Sequence, residues 1–222
     1  MKSKGKKTLF SGIIFISLFT LWTWLIQIAD VEPIGVNGTN IGFSTLNAWF
    51  HSLTGLNMAL YNITDWLGLV PLVICLLFGT VGFFQLLKRK SLFKVDFDII
   101  ILGVYYFIVI LCYLVFEKFP INYRPVLING CMEASYPSST VLLVLSVMPT
   151  LIFQVNRRLK SDAVKKIICI MTVLFSVFTV IGRMISGVHW QTDIIGSLLL
   201  CAGLFNVYKS AVLLYENSKH KR

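Results

Sequence analysis

The chain has 222 residues, of which 56% are apolar and only 14% charged, against the roughly 25% charged of a soluble globular domain. That much apolar surface has no place in a water-soluble core of this length, so lipid is the implied solvent and soluble classes are excluded. The formal charge of +10 would suit a nucleic-acid binder, but the 20 Lys and Arg residues fall in short runs between apolar stretches, which excludes a continuous basic face.

The chain opens on a basic head (Lys2, Lys4, Lys6, Lys7) followed by an apolar run from Leu9 to Ile28. The run is too long for a signal-peptide core and no small-residue cleavage site follows, which predicts an uncleaved anchor helix. Residues 40–66 are neither long nor apolar enough to cross a bilayer. Leu46, Trp49, Phe50 and Leu53 repeat there at helical spacing and Trp66 follows, as in an interfacial helix with its apolar side in lipid. Such a helix could gate lipid substrates or simply cover the bundle. His51, within it, reads as an interfacial polar residue. Five further spans are predicted at Leu69–Leu87, Phe97–Phe116, Tyr136–Val155, Ile167–Ser186 and Ile194–Leu214. The pattern lacks the alternating strands of a barrel. The fold class is therefore all-α, an integral membrane six-transmembrane-helix bundle with an interfacial helix between the first two spans. Residues 1–67 form the anchor and interfacial segment, 68–215 the core, and 216–222 a basic tail.

All but three of the 20 basic residues lie on one side of this arrangement. That side is predicted to be cytoplasmic, with both termini there, in a multi-pass protein of the cell membrane. Asp96 and Asp98, beside a basic link, read as boundary charges paired with Lys94 or its neighbours. The five cysteines are odd in number and lack C-x-x-C spacing, so neither a disulfide framework nor a metal site is inferred.

The three remaining cations, Lys118, Arg124 and Arg183, sit on the face that topology leaves poor in positive charge, and phosphate accounts for them. His189 and Asp193 are four apart and would share one helical face. The carboxylate would then orient the imidazole and leave a ring nitrogen free as nucleophile or base. Arg183 could fork onto phosphate oxygens, while Arg124 and Lys118 neutralise charge developing in the transition state. Ser138, Ser139 and Thr140 open the fourth span and would add N–H donors at its positive end.

These segments resemble the three signature motifs of the type 2 phosphatidic acid phosphatase (PAP2) superfamily, K-x6-R-P, P-S-G-H and S-R-x5-H-x3-D. The order, spacing and placement relative to the spans agree over roughly residues 69–210. The resemblance implies a histidine nucleophile at His189 oriented by Asp193, with Lys118, Arg124 and Arg183 as phosphate ligands and Ser138 and Ser139 as hydrogen-bond donors. Glu117 occupies the motif-lysine position, with Lys118 one residue later; Gly182 replaces the motif serine; and Thr140 replaces the histidine that acts as general acid.

The expected function is a membrane lipid phosphatase acting at the outer face through a phosphohistidine, with no cofactor or metal. The missing acid points to a lipid diphosphate such as a polyprenyl diphosphate, whose leaving phosphate needs no proton, or else to a site that only binds phosphorylated lipid. Glu133 and Tyr136 are alternative acids. A lipid phosphotransferase of the same superfamily and a non-catalytic lipid-binding or transport protein remain open. The expected partners are the lipid substrate and membrane lipids, with no nucleic acid; nothing in the pattern sets an oligomeric state.

Overall fold

The computed structural model describes residues 2–219; the tail residues Lys221 and Arg222 lie outside the described residues. Eight α-helices are found in this range: α1 (Lys2–Ile28), α2 (Ser44–Thr54), α3 (Met58–Leu67), α4 (Leu69–Arg89), α5 (Phe97–Lys118), α6 (Ser139–Arg158), α7 (Asp162–Ile185) and α8 (Gln191–Lys219). Six are long and apolar enough to span a bilayer: α1, α3 continued by α4, and α5 to α8.

The predicted spans are all present, with shifted ends. α6 begins at Ser139 rather than Tyr136, because Tyr136 and Pro137 belong to the preceding loop. α7 starts at Asp162, behind a Ser161 cap whose hydroxyl accepts from the Val164 N–H. α8 runs on to Lys219, so the start of the expected tail is helical. The single interfacial helix is instead two helices, α2 and α3, divided at Gly55.

Burial follows membrane logic. α7 turns Thr172, Thr179, Gly182 and Arg183 into the bundle and leaves Met171, Leu174, Phe178 and Ile181 exposed. Lipid tails are as apolar as these side chains, so helix association rests on close packing and internal hydrogen bonds. α1 packs along α8, where a Cβ on Gly203 would lie 2.7 Å from Ile16. α6 is the central helix and touches α4, α5, α7 and α8. The core joins Phe19, Leu102, Tyr105, Tyr136 and Tyr208.

At the end rich in Lys and Arg, Asp96 meets Arg89 at 2.7 Å and Arg158 at 3.3 Å, while Asp98 meets Arg158 at 2.7 Å and Arg157 at 3.6 Å. The two aspartates are paired as expected, with arginines of α4 and α6 rather than with Lys94. The opposite end gathers the α1–α4 connection, the α5–α6 loop and the short α7–α8 turn, and there the three motif segments meet.

Candidate active site

The α7–α8 turn carries His189. Gly187 adopts φ +71°, and a Cβ there would sit 1.9 Å from the Gly55 carbonyl oxygen, so only glycine fits. The turn is braced from α2 and α3. Asn57 donates its N–H to the Ser186 carbonyl at 2.9 Å. His51 Nε2 lies 3.1 Å from the Gly187 carbonyl, and the Asn47 side chain donates to Thr192 Oγ1 at 3.1 Å. His51 is thus a brace of the site loop. α2 meanwhile leaves Leu46, Trp49 and Leu53 exposed.

His189 precedes α8 instead of lying on it, which corrects the shared-face expectation. Asp193, in the first turn of α8, accepts the Trp190 N–H at 2.9 Å, the reach-back that caps a helix start. Its Oδ2 lies 3.7 Å from His189 Nδ1, beyond hydrogen-bond length. Ser135 fills the gap. Its hydroxyl donates to Asp193 Oδ2 at 2.5 Å and lies 3.1 Å from Nδ1. With its proton on the carboxylate, Ser135 Oγ accepts from Nδ1–H, and the lone pair falls on Nε2. Asn122 donates to Asp193 Oδ1 at 3.3 Å.

The α5–α6 loop brings these groups together by folding back on itself, with antiparallel bridges at Tyr123 with Ala134 and Ile128 with Cys131. That pairing sets Asn122 and Arg124 opposite Ser135 and Glu133. The Trp190 indole donates to the Tyr123 carbonyl at 2.8 Å and ties the loop to α8.

Arg124 and Arg183 are both buried. Their guanidiniums lie 5.6 and 4.6 Å from the centroid of one ring, Tyr61 of α3. Each also holds a carboxylate: Arg124 meets Glu133 at 3.1 Å and Arg183 meets Asp65 at 2.5 Å. Arg183 Nη2 also donates to Thr140 Oγ1. Burial pushes the His189 imidazole down to about 4, against the pull of Asp193 and reinforced by the charges of Arg124 and Arg183. The ring is therefore neutral at physiological pH. Five buried polar atoms here lack a partner among the described residues: Arg124 Nε and Nη1, Arg183 Nε, Ser138 Oγ and His189 Nε2. Three N–H donors, a hydroxyl and a lone pair suit a tetrahedral oxyanion.

Two expected participants are not in this cluster. Lys118 is exposed at the end of α5. Tyr136 is a core residue: its hydroxyl pairs with Thr23 Oγ1 at 2.7 Å, its ring stacks on Phe19, and burial raises its pKa, so it is not the missing acid. Ser139 opens α6 and lines an apolar groove with Thr140. Sequence reasoning missed Ser135, Asn122, Tyr61 and Asp65. Asn122 and Ser135 lie beside motif residues, a weak signal; Tyr61 and Asp65 gave none.

The sequence matches the PAP2 superfamily over residues 98–214, more than half its length. The chain belongs to the PAP2 superfamily. Its fold is also similar to the crystal structure of a transmembrane PAP2-type phosphatidylglycerolphosphate phosphatase from Bacillus subtilis. The TM-score is 0.63 at 18% identity, covering 90% of this chain and 94% of that one. A search of curated proteins finds no match.

One departure from the PAP2 motifs has a structural cause in α3. α3 carries Tyr61, Thr64 and Asp65 along one face at helical spacing, and Gly68 caps its C-terminal end. Thr64 packs where a Cβ on Gly182 would lie only 2.6 Å away, so the motif serine has no room. An added Cβ on Gly68 would lie 3.6 Å from the Thr140 methyl, and Asp65 reaches Arg183. Gly182 lies under α3, and Thr140 lies beside the cap of that helix.

Proposed function

We propose that this PAP2 protein is a membrane phosphatase that hydrolyses a lipid diphosphate at the outer face of the cell membrane through a phosphohistidine on His189. The observation that carries this reading is the set of five unpartnered buried atoms, four donors and one imidazole lone pair. Arg124, Arg183 and Ser138 would hold the terminal phosphoryl oxygens, and Nε2 would attack phosphorus. The bond to the leaving oxygen breaks and its electron pair departs with the lipid. Ser135 and Asp193 stabilise the positive charge that develops on the ring.

The lipid side of the reading rests on the groove between α4, α5 and α6. It holds about 340 Å3 and is lined by Leu72, Val109, Ile110 and Leu143, with Asp65 and Thr140 among its few polar residues. A lipid chain fits such a lining. The solved relative's own substrate, as its name gives it, is a lipid phosphate. Preference for a diphosphate follows from Thr140, whose hydroxyl is a poor proton donor near neutral pH. A departing lipid phosphate needs no proton, whereas an alkoxide does, and general acid catalysis contributes ~100- to 10,000-fold. The basic end is assigned to the cytoplasm by the distribution of Lys and Arg, which puts the site at the outer leaflet.

Release of inorganic phosphate from a polyprenyl diphosphate, phosphatidylglycerolphosphate and phosphatidic acid tests the reading. The diphosphate is expected to be turned over at least tenfold faster than either monoester, and His189→Ala is expected to abolish release and phosphoenzyme alike. Equal rates on monoesters refute the diphosphate preference, and an active His189→Ala refutes the nucleophile.

A further inference from the structure

A phosphohistidine must be hydrolysed, and attack by water is faster when a base removes the proton. Within the cluster, the hydroxyl of Thr140 is no base, and Ser135 and Asp193 are committed to the far nitrogen of the His189 ring. We propose that Asp65 is the general base that activates water in this second half-reaction. The inference rests on the phosphatase reading above.

Three observations converge on Asp65. First, its Oδ1 lies 2.5 Å from Arg183 Nη2, the nitrogen that also donates to Thr140 Oγ1. Two oxygens bonded to one nitrogen are neighbours, so the carboxylate stands beside the side chain at position 140. Second, Asp65 and Thr140 line the same apolar groove. In an in-line displacement the leaving group departs opposite the nucleophile. The leaving group here carries the lipid, so it departs toward the groove. Water enters along the line that the lipid has vacated, where Asp65 waits. Third, the Asp65 side chain is 56% exposed while Arg183 is fully buried, so the carboxylate is not sealed inside the bundle. Glu133 is also part-exposed and paired to an arginine, but that arginine is Arg124, and Glu133 does not line the groove.

The step balances as follows. Water oxygen attacks phosphorus as one of its protons passes to an Asp65 oxygen. The P–N bond breaks, its electron pair returns to His189 Nε2, and inorganic phosphate leaves. Asp65 then gives its proton to solvent. Arg183 fixes the carboxylate before substrate arrives and turns its donors to the phosphoryl oxygens once they are present. The position of α3 thus supplies a base where the threonine supplies none.

The test uses the full chain in detergent micelles with farnesyl diphosphate radiolabelled in its terminal phosphoryl group. For Asp65→Asn, the first turnover is expected to release farnesyl phosphate at close to the wild-type rate. Steady-state phosphate release falls at least ~100-fold, and labelled phosphohistidine accumulates to near one per protein. Asp65→Glu, which keeps the carboxylate, and Asp65→Asn with Thr140→His, which adds an imidazole beside it, are each expected to recover turnover. A merely structural aspartate would slow both half-reactions together and trap no phosphoenzyme, and that result overturns the proposal. Unchanged turnover of Asp65→Asn in the presence of an active wild type overturns this inference alone. A wild type inert on the diphosphate overturns the functional reading and this inference with it. Thermal unfolding of each variant identifies a collapsed fold; if Asp65→Asn collapses, Asp65→Ser replaces it, and its phosphohistidine level against that of Asp65→Glu decides the question.

Discussion

Replacing Ser135 by alanine removes the one hydroxyl that links the His189 ring to its carboxylate. Asp193 keeps its bonds from the Trp190 N–H at 2.9 Å and from Asn122 at 3.3 Å, so the carboxylate stays in place. The 3.7 Å between Nδ1 and Oδ2 is too long to be closed by a direct bond without moving the turn, and that turn is pinned by Gly55, Asn57 and Asn47. A hydrogen bond to a charged group contributes about 1.5–3 kcal/mol. As the ring gains positive charge on attack, that amount is lost from the transition state, and each ~1.4 kcal/mol is tenfold in rate. The expected fall in kcat/KM is therefore roughly ten- to a hundredfold, with phosphoenzyme formation slowed in a rapid-quench experiment and substrate affinity little altered. Rates within twofold of wild type would refute the relay and show that Asp193 holds the ring directly.

Two further outcomes follow from the same geometry. The His189 pKa of about 4 in the folded protein lies below the free value of 6.5, so the unfolded chain binds this proton first as pH falls. The contribution to stability is present above pH 6.5 and declines from there to about pH 4, and the acid limb of kcat/KM is expected near pH 4; a limb centred on 6.5 refutes the burial argument. Gly182→Ser restores the PAP2 motif residue but drives its Cβ against Thr64. It is expected to lower stability by about 1–3 kcal/mol as read by thermal unfolding, with Thr64→Ala restoring it; a neutral Gly182→Ser contradicts the packing account of that departure.

How much of the site was legible varies residue by residue. Arg124, Arg183, His189 and Asp193 carried their signal in spacing and in charge placed against the topology. All four meet in one buried cluster. Lys118 had the same charge signal but lies exposed, because the helix of α5 continues through it and turns it away before the loop folds back. Asp65 carried no signal in the sequence, since its partner lies 118 positions away. Ser135 was invisible for a related reason: its role depends on the antiparallel pairing of the α5–α6 loop, which no helical period announces.

Membrane character, the six long helices and the distribution of cations are properties of composition and local pattern, because each spanning segment must satisfy its own backbone and match its own surface to lipid. Sequence alone determined those. Tertiary structure decided that a serine stands between His189 and Asp193, and that α3 leans over the α7 end to exclude one side chain and deliver another. Such relations are set by ångström-scale distances between segments far apart in the chain, and only the packed bundle fixes those distances.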